Sequence, residues 1–420
     1  MNDILEELRW RGLIAQSTDE TALAEALESG PITYYCGFDP TAPSLHHGHL
    51  VQLMLLRHLQ RAGHRAIALV GGATGMIGDP RMSGERHLNT KEVVADWTRR
   101  LHAQVSQFLD FDGENPALLV NNLDWTEDLT AIDMLREIGK HFRLGTMLAK
   151  DTVARRLASD EGISFTEFSY QILQGMDFLE LYRRYGCTLQ TGGNDQWGNL
   201  LSGVELIHKA EGASVHVLTT PLITKSDGTK FGKSEGGAVW LAPEMMSPYA
   251  FYQFWLNTAD ADVVKCLKVF TFLSRPRIEE LAQEMEASPK ARSAQRALAH
   301  EVTALVHGPD AAARVEAASA ALFGGGDLQQ LDPQTLRDAV AELPQGAITP
   351  GQSTIIDAFV SAGLEKGRKA ARRVVEAGGA YLNNEKVTDA EAVLNESDLL
   401  AGGVALVRRG RKSLAAVHTA

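Results

Sequence analysis

The sequence predicts an α/β fold built on a parallel sheet, followed by an α-helical region and a small α+β unit. The first observation is the alternation of strand-like and helix-like segments in the first half, in the order ITYYCGF, LVQLMLLRHLQRAG, AIALVGG and KEVVADWTRRLHAQVSQFL. The second is the loss of strand signals after about residue 247. The third is the return of strand patterns in the last 70 residues.

Each further element has its own pattern. ALLVNNLDW predicts a strand that ends in a turn, LTAIDMLREIGKHF predicts a helix, and CTLQTGG and VHVLTTPLI are strand candidates. In the second region, helices are predicted for PYAFYQFWLN, DVVKCLKVFTFL, RIEELAQEMEA and ARVEAASAALF. In the tail, GRKAARRVVEAGG predicts a helix, AYLNNEKV a strand and VALVRRGRKSLAAV a hairpin.

These patterns divide the 420 residues into four parts. They are an α/β domain at 1–246, a helical domain at 247–322, a linker at 323–350, and a small domain at 351–420. The linker is predicted from its richness in Gly, Pro and Gln. The length alone corresponds to two or three domains of about 150 residues.

Composition excludes several classes of protein. With 44% hydrophobic and 22% charged residues, the chain has the balance of an ordinary globular protein and not of a disordered one. No stretch approaches the ~20 apolar residues of a membrane span, and MNDILEELRW lacks the basic and apolar regions of a secretory signal. The three cysteines, Cys36, Cys187 and Cys266, are far apart, which argues against a disulfide framework and a Cys-based zinc site. We therefore expect a cytoplasmic protein.

Charge is unevenly distributed along the chain. The net charge is −12, but residues 351–420 carry 10 basic and 8 acidic side chains, which leaves −14 for the preceding residues. An acidic body with a mildly basic tail is compatible with a local nucleic-acid contact at the C-terminal end. A solvated basic face is the alternative.

The strongest local signal is YYCGFDPTAPSLHHGHL, which runs from a strand through a turn into a helix. Ser44 is the expected N-cap, and His46 and His49 lie three apart on one face of the helix. Gly48 removes a side chain between them, so that a ligand could approach the backbone. A helix N-terminus favours anions, and two imidazoles there could donate to phosphate oxygens. A metal site that also includes His47, or a plain helix cap, are the alternatives.

The second signal is TKSDGTKFGKSEGG, about 180 residues later. It places Lys225, Lys230 and Lys233 on a glycine-rich loop. Lysines on such a loop can move in to neutralise phosphate charge that develops in a transition state. Taken alone, a solvated surface loop is the simpler interpretation.

Together, HHGH and KFGKS resemble the paired signatures of class I aminoacyl-tRNA synthetases. The match narrows to bacterial tyrosyl-tRNA synthetases through YYCGFDPTAPSLHHGHL, GGATGMIGDP, VNNLDW, ISFTEFSYQILQGMDFLELY, GGNDQWGN and TKFGKSEGG. The tail GRKAARRVVEAGGAYLNNEKV resembles the family's C-terminal RNA-binding module. The resemblance implies a Rossmann-like catalytic domain at 1–246 with an insertion at about 122–190, and an RNA-binding domain at 351–420. It also implies a homodimer with its interface in the insertion after Asn122.

The resemblance also implies the reaction. L-tyrosine would react with ATP to give tyrosyl-adenylate and pyrophosphate, and tyrosine would then pass to the 3′-terminal ribose of tRNA(Tyr). Neither step needs a protein nucleophile, so catalysis is expected from orientation and charge stabilisation. Mg²⁺ is expected on the phosphates, without a dedicated protein metal site.

The family's site residues carry over by position. The catalytic residues are Thr41, His46, His49, Lys230 and Lys233. The tyrosine-binding residues are Tyr35, Asp79, Tyr170, Gln174, Asp177 and Gln196. The ATP-binding residues are Cys36, Gly37, Asp39, Gly48, Gly192, Asp195, Lys233 and Ser234. The tRNA-binding residues are Lys366, Arg368, Lys369, Arg372, Arg373, Arg408, Arg409, Arg411 and Lys412.

Physical arguments support part of this assignment. Asp177 lies in the apolar segment QILQGMDF, where an unpaired carboxylate would be costly, and a substrate hydroxyl would supply a partner. Tyr170, Gln174 and Asp177 are four and three residues apart and so share one helix face. A pocket that hydrogen-bonds a hydroxyl rejects phenylalanine, a rule for which tyrosyl-tRNA synthetases are themselves the standard example. For Cys36, ribose contact and simple packing remain equal alternatives.

The sequence departs from the family's pattern at two places, and two alternative functions have to be distinguished from the tyrosine reaction. The segment DPRMSGER lacks a lysine that the family often has, and Arg81 or Arg86 is expected to compensate. KFGKS replaces the KMSKS of the broader class but keeps both lysines. One rival is a tryptophanyl-tRNA synthetase or a small-molecule adenylyltransferase of the same fold. The other is a catalytically silent relative that binds RNA.

Overall fold

The chain folds into two compact units. The computed structural model describes residues 4–81, 84, 87–229, 231–234, 237–323, 326–410 and 413–420, with the side chains of Lys233 and Ser234 excepted. Unit 1 comprises Met1–Met245 and Asp260–Glu286, and unit 2 comprises Met246–Ala259 and Ala287–Ala420.

Unit 1 contains a six-stranded sheet. Its strands are β1 (Gln16–Ser17), β2 (Thr33–Phe38), β3 (Arg65–Val70), β4 (Leu118–Asn121), β5 (Cys187–Gly193) and β6 (His216–Thr220). The strand order is β1-β6-β5-β2-β3-β4, and all neighbours are parallel except β1, which pairs antiparallel with β6. A short hairpin follows, formed by β7 (Lys233–Ser234) and β8 (Gly237–Ala238).

Helices connect the parallel strands. Those of the first half are α1 (Ile4–Arg11), α2 (Glu20–Ser29), α3 (His47–Arg61), α4 (Thr74–Ile77), α5 (Lys91–Val105), α6 (Leu123–Thr126), α7 (Ala131–Asp133), α8 (Leu144–Leu148), α9 (Asp151–Leu157), α10 (Phe165–Tyr185) and α11 (Trp197–Glu211). A π-helical segment, Met134–Ile138, and short 3-10 turns at Gly139–His141 and Asn194–Gln196 complete this part.

The second half is mostly helical before its final sheet. Its helices are α12 (Pro248–Leu256), α13 (Asp260–Phe270), α14 (Arg275–Ala287), α15 (Ser293–His307), α16 (Pro309–Leu322), α17 (Pro333–Ala341), α18 (Ile355–Ser361) and α19 (Arg368–Glu376), with 3-10 turns at Pro289–Ala291, Leu328–Gln330 and Glu396–Asp398. Of these, α13 and nearly all of α14 belong to unit 1. In unit 2, α12 packs against α15, α16 and α17.

Unit 2 ends in a five-stranded sheet. Its strands are β9 (Gln345–Ile348), β10 (Ala380–Leu382), β11 (Glu385–Val387), β12 (Val404–Arg409) and β13 (Ser413–Thr419), in the order β11-β10-β12-β13-β9. Only β9 and β13 are parallel neighbours. The sheet and α18 and α19 share an apolar core that includes Ile356, Phe359, Val375, Val407 and Val417.

The long helix α10 shows how local sequence positions the site. The Ser164 side chain accepts a hydrogen bond from the Glu167 backbone N–H and so caps the first turn. The helix ends at Gly186, whose φ of 62° is a left-handed conformation that glycine adopts without cost. Phe178 and Leu179 bury one face of α10 in the core beneath the sheet. Asp177 lies in the same turn and is also buried.

The α/β fold with a parallel sheet is confirmed, together with the second sheet at the C-terminal end. The segment AYLNNEKV is two strands and not one, because Asn383 and Asn384 turn the chain with φ values of 47° and 69°. Among the described residues, no helix is both long enough and apolar enough to cross a membrane.

The structure differs from the expected division at two places. Residues 323–350, expected to be a linker, contain α17 and β9, because Leu336, Ala339 and Val340 are buried and β9 pairs with β13. Residues 260–286, expected in the helical domain, group with unit 1. The four-part functional division itself stays a prediction.

Candidate active site

The HHGH segment caps helix α3 with its own side chains. His46 is the N-cap, and its Nδ1 accepts a hydrogen bond from Gly48 N at 3.0 Å. The backbone N–H of His46 in turn donates to His49 Nδ1 at 3.1 Å. The expectation of Ser44 as N-cap was wrong, because its buried hydroxyl accepts from Ala242 N at 3.0 Å instead.

These contacts fix which nitrogen of each ring can bind a ligand. Burial lowers the pKa of His46, and burial together with the neighbouring histidines lowers that of His49 well below its usual value. Both rings are therefore neutral near pH 7. Because Nδ1 accepts in both, each neutral ring carries its proton on Nε2. The site thus presents two neutral N–H donors at a helix N-terminus, a suitable arrangement for binding phosphate.

Gly48 is required for this arrangement. A Cβ at this position would lie 2.9 Å from His46 Cε1, closer than real Cβ contacts allow. The absence of a side chain therefore allows the His46 ring to fold back over the helix end. The ring centroids of His46 and His49 lie 4.0 Å apart as a result.

The HHGH and KFGKS segments meet at His47. The His47 ring centroid lies 5.9 Å from that of Phe231, and a Cβ on Gly232 would lie 2.0 Å from His47 Cε1. Gly232 also has a φ of 77°, so both the space and the backbone favour glycine. Lys230 and the side chains of Lys233 and Ser234 lie outside the described residues. Their phosphate contacts stay predictions, but the two segments are brought together.

Asp177 is a buried carboxylate held by two protein donors. Its side chain is 3% exposed and accepts from Asn122 Nδ2 and Trp125 Nε1, each at 2.9 Å. Burial raises its pKa to about 7, although both hydrogen bonds act in the opposite direction. The sequence argument expected a substrate hydroxyl as the partner and missed these two residues. They belong to the segment VNNLDW, but its local pattern does not show that it reaches Asp177.

The Tyr35 hydroxyl lies buried without a hydrogen-bond partner in the described part of the chain. Burial, and next the negative charge of Asp177, raise the pKa of Tyr35 well above its usual value. The Tyr35 ring packs against Phe178 with centroids 5.3 Å apart. A buried hydroxyl without a hydrogen bond costs about 1–3 kcal/mol of stability. A ligand hydroxyl beside Asp177 would give a hydrogen-bond partner to both the Tyr35 hydroxyl and the Asp177 carboxylate.

The Asp39 carboxylate, which was expected to bind ATP, is hydrogen-bonded to Tyr170, which was expected to bind tyrosine. Its Oδ2 accepts from the Tyr170 hydroxyl at 2.7 Å, and its Oδ1 accepts from Thr74 Oγ1 at 2.6 Å. Asp39 was expected near ATP and Tyr170 near tyrosine, so these two parts of the site adjoin. Thr74 was not among the expected residues.

Asp79 forms a second polar centre with expected neighbours. It accepts from Gln196 Nε2 and Asn199 Nδ2, both at 2.9 Å. Its negative charge contributes to the raised pKa of Tyr170, after burial and Asp39. Gln174 Oε1 is buried without a partner among the described residues. A carboxylate and an unsatisfied amide oxygen are suitable acceptors for an ammonium group. Asn199 was missed by the sequence argument.

The remaining candidates for ATP differ in accessibility. Thr41 and Asp195 are exposed, Gly37 lies near the end of β2, and Gly192 lies in β5. Cys36 is buried, its Sγ lies 3.9 Å from Gln52 Oε1, and burial raises its pKa to about 12. The thiol therefore stays protonated and packs in the interior. The nucleotide contacts of these residues stay predictions.

The basic residues of unit 2 have different surroundings. Exposed side chains are Lys366, Arg368, Lys369, Arg372, Arg373 and Arg409. Three of them pair with acids, Arg368 with Asp357, Arg372 with Glu391 and Arg409 with Glu365. Arg408 is buried, lies 4.2 Å above the Tyr381 ring and donates to Gly410 O at 2.8 Å. Arg411 and Lys412 lie outside the described residues.

The histidine cluster has no set of metal ligands around it. In the described ranges, no group of three or more His, Cys, Asp or Glu side chains is placed to hold a metal ion. The neutral donors of His46 and His49 fit an anion better than a cation. The helix-terminus interpretation of HHGH is therefore the one that the geometry favours.

Comparison with known proteins gives the family. The family model described as "tRNA synthetases class I (W and Y)" matches residues 27–324, and that of the "Tyrosine--tRNA ligase SYY-like C-terminal domain" matches residues 335–417. The tyrosine--tRNA ligase of Streptomyces coelicolor is 61% identical over 419 residues, covering 100% of this chain and 99% of that protein.

Solved structures agree. A C-terminally truncated mitochondrial tyrosyl-tRNA synthetase from Aspergillus nidulans has a TM-score of 0.71 at 32% identity, over 77% of this chain and 95% of its own. A similarly truncated enzyme from Coccidioides posadasii has a TM-score of 0.67 at 34% identity, over 75% and 91%. The resemblance found in the sequence is confirmed. The chain belongs to the tyrosine--tRNA ligase family of class I aminoacyl-tRNA synthetases.

Proposed function

We propose that this chain activates L-tyrosine with ATP and transfers it to tRNA(Tyr) at the site formed by Tyr35, Asp177 and the HHGH helix. Membership of the tyrosine--tRNA ligase family supports the overall reaction. The observation that carries the site assignment is the Tyr35 hydroxyl, which lies buried and unsatisfied under the influence of a carboxylate already oriented by two donors. The phenol hydroxyl of a bound tyrosine would hydrogen-bond to both the Tyr35 hydroxyl and the Asp177 carboxylate.

Tyrosine is recognised at its two polar ends. The phenol hydroxyl donates to Asp177 and accepts from Tyr35. The α-ammonium lies among Asp79, Tyr170, Gln174 and Gln196, of which Asp79 supplies the charge. Phenylalanine is rejected because it would leave the buried Tyr35 and Asp177 groups without their ligand partner.

Adenylation follows from orientation and charge stabilisation. The tyrosine carboxylate attacks the α-phosphate in line, and pyrophosphate departs. Thr41, His46 and His49 donate to the phosphates, and Lys230, Lys233 and Ser234 close on the departing pyrophosphate. Removal of one such donor typically costs about 10²–10³ in rate. Further contacts to the nucleotide come from Gly37, Asp39, Gly48, Gly192 and Asp195.

Mg²⁺ enters with the phosphates of ATP in this proposal. The described residues provide no dedicated cluster of ligands for it, and Mg²⁺ commonly keeps several waters and binds through substrate phosphates. The bound ion would neutralise phosphate charge, and the two neutral imidazoles of HHGH would orient the oxygens around it.

The second step transfers tyrosine to a 3′-terminal ribose hydroxyl of the tRNA. The exposed basic residues of α19 and the adjoining segment position phosphates of the RNA. They are Lys366, Arg368, Lys369, Arg372 and Arg373, together with Arg409 at the end of β12. Arg411 and Lys412 are further candidates from the sequence. Arg408 acts through packing on Tyr381, because its side chain is buried.

A homodimer in the cytoplasm is the proposed working form. Six large apolar side chains between residues 132 and 165 are exposed, namely Ile132, Leu135, Leu144, Leu148, Leu157 and Phe165. They fall within the insertion at 122–190, where the family resemblance places the interface. A second copy of the chain would remove this apolar surface from water.

Pyrophosphate–ATP exchange tested with each of the twenty amino acids decides among the candidates. We expect exchange with tyrosine and little with phenylalanine or tryptophan. Exchange that depends on tryptophan would identify the first rival. Absence of exchange in folded protein that still binds tRNA would identify a silent RNA-binding relative.

A further inference from the structure

We infer that Thr74 is a positioning residue that couples Asp177, in the tyrosine pocket, to Asp39, on the nucleotide side of the site. The inference rests on the proposed function and concerns the same site. The Thr74 hydroxyl bonds to the Asp39 carboxylate and to the Asn122 amide. It acts through the two carboxylates, to which a continuous set of hydrogen bonds connects it.

The hydrogen bonds start at the Asn122 amide and lead to both carboxylates. Thr74 Oγ1 donates to Asp39 Oδ1 at 2.6 Å and accepts from Asn122 Nδ2 at 2.9 Å. Asn122 Nδ2 also donates to Asp177 Oδ2 at 2.9 Å. A hydroxyl has one proton, so donation to Asp39 leaves only its lone pairs for Asn122.

Backbone contacts fix the orientation of the amide between the carboxylates. Asn122 Oδ1 accepts from the backbone N–H of Ala73 at 2.8 Å, which places the NH₂ group toward Thr74 and Asp177. Thr74 is 2% exposed and Asn122 is fully buried, so water does not compete for these bonds. A single isolated Asn122 NH₂ group therefore contacts both the threonine hydroxyl and the phenol-binding carboxylate.

A glycine makes the approach of Thr74 to Asp39 possible. A Cβ on Gly71 would lie 2.0 Å from Asp39 Oδ1 and 2.2 Å from Thr74 Oγ1. The glycine-rich segment after β3 therefore supplies the space for this hydrogen bond. Within GGATGMIGDP, Gly71 therefore has a specific role in addition to the tight strand-to-helix connection.

Both oxygens of Asp39 are held by hydroxyl groups. Thr74 holds Oδ1, and the Tyr170 hydroxyl holds Oδ2 at 2.7 Å. Loss of the Thr74 hydroxyl would remove the hydrogen bond to Oδ1 of this carboxylate and leave the Tyr170 contact at Oδ2 in place. It would also leave one N–H of Asn122 unsatisfied while its bond to Asp177 remains.

The consequence is a coupling between the two substrates. Hydrogen bonds in a buried chain polarise one another, so a phenol bound at Asp177 changes the donor strength of Asn122 and thereby of Thr74. Tyrosine bound at Asp177 should then favour the oriented form of Asp39 that ATP requires. By linkage, ATP must strengthen tyrosine binding by the same factor.

The test compares Thr74→Val, which keeps the shape without the hydroxyl, with Thr74→Ser, which keeps the hydroxyl. In the full-length chain, tyrosine dissociation constants are measured with and without a non-hydrolysable ATP analogue, and adenylate formation is followed in single turnovers. For Thr74→Val we expect adenylate formation about tenfold slower, the effect of one hydrogen bond to a charged group. Tyrosine binding alone should change by less than about threefold, because Asp177 keeps both donors.

The ATP analogue should strengthen tyrosine binding in wild type and Thr74→Ser but not in Thr74→Val. Equal rates and equal coupling in Thr74→Val and Thr74→Ser would overturn the inference. So would a Thr74→Val variant that loses tyrosine affinity as much as rate, since that indicates a purely structural role. Thr74→Ala provides the same comparison should the valine variant not fold. Wild-type protein without tyrosine-dependent exchange would instead overturn the proposed function, and the inference with it.

Discussion

Asp177 has a pKa near neutrality, so its charge depends on the pH at which the protein works. Burial raises this pKa to about 7, whereas an unfolded chain would titrate near the ordinary value of 3.8. The folded protein therefore holds an extra proton between about pH 4 and pH 7. The contribution of this group to stability falls as pH rises through that interval and does not change further above it.

Tyrosine binding should consequently strengthen as pH rises. The ionised carboxylate is the form that accepts the phenol proton, so affinity without ATP should be about tenfold lower at pH 6 than on the plateau above pH 8. Burial lowers the pKa values of His46, His47 and His49 from that of an ordinary histidine, away from the pKa of Asp177. Equilibrium tyrosine binding by fluorescence or calorimetry across pH 5.5–8.5 checks this.

Asp177→Asn supplies the matched control for that pH dependence. The variant keeps the size of the side chain but cannot ionise, so its weaker tyrosine binding should be flat across the same range. An unchanged pH profile in Asp177→Asn would show that another group is responsible. In that case the phenol pocket has been assigned to the wrong residue.

Individual residues were predictable where one segment carried the whole pattern. His46, Gly48 and His49 lie within four positions, so helix geometry alone placed them together. Thr74 and Trp125 could not be found this way. They contact Asp39 and Asp177 across separations of 35 and 52 residues. The Asp39–Thr74 contact arises because β2 and β3 are parallel neighbours whose carboxyl ends align. The Trp125–Asp177 contact arises because the long helix α10 comes close to the segment after β4. A local pattern encodes neither contact.

At the scale of elements, helix and strand identities followed from periodicity, and the exceptions have physical causes. The segment before β9 is rich in Gln and Pro, which suggested a linker, but Asp332 caps α17 by accepting from Thr335 N. Burial of Leu336 and Val340 against other helices then stabilises it. Amino-acid composition alone does not predict such tertiary packing.

A buried ion pair connects several elements around the segment after Asp79. Arg156, near the end of α9, is 1% exposed and bonds at 2.8 Å to Glu167 of α10, which is 2% exposed. Its guanidinium also donates to the carbonyls of Arg81 at 3.1 Å and of Gly84 and Gly162, each at 2.8 Å. One side chain thus fixes α10 to two loops.

Arg156→Met should destabilise unit 1 by about 3–5 kcal/mol, because it removes one partner of a buried ion pair. Chemical denaturation measures the change. Arg155→Met is the matched control, since its neighbouring side chain is exposed and should change stability by less than about 0.5 kcal/mol. Similar losses of stability in both variants would contradict the role of Arg156 in holding α10 to the two loops. A double variant, Arg156→Met with Glu167→Leu, should recover part of the loss.

At the scale of the whole molecule, the C-terminal region differs from the rest of the chain in net charge and also has an apolar core of its own. The chain is acidic overall, at −12, yet its last 70 residues carry a small positive excess. The same region has its own apolar core, formed by buried residues between Ile348 and Val417. A segment with a separate core and an opposite charge is suited to a separate task. A separate domain at 351–420 stays a prediction, and the first strand of the second sheet, β9, lies within the expected linker.

Removal of the C-terminal sheet should separate the two reaction steps. The cut belongs after residue 342, because a cut at 350 would leave β9 without its partner β13. Deletion of 343–420 removes all five strands together with α18 and α19. The removed strands and helices share an apolar core of their own. Tyrosine-dependent exchange should then stay within about twofold of the full-length value, because surface changes away from a site have small effects.

Charging of tRNA should fall by about 100-fold or more in the truncated chain, since the basic residues that hold RNA phosphates are removed. A matched variant keeps the fold intact by replacing Lys366, Lys369 and Arg373 with alanine, all three being exposed. It should charge tRNA more weakly and show a smaller salt dependence than wild type, by roughly one unit in the log–log slope for each phosphate that is no longer neutralised. Steady-state charging between about 50 and 200 mM salt, run alongside exchange, measures both effects. Equal loss of exchange and charging would refute the division of labour, because it would mean that the C-terminal region supports the catalytic unit and not the RNA.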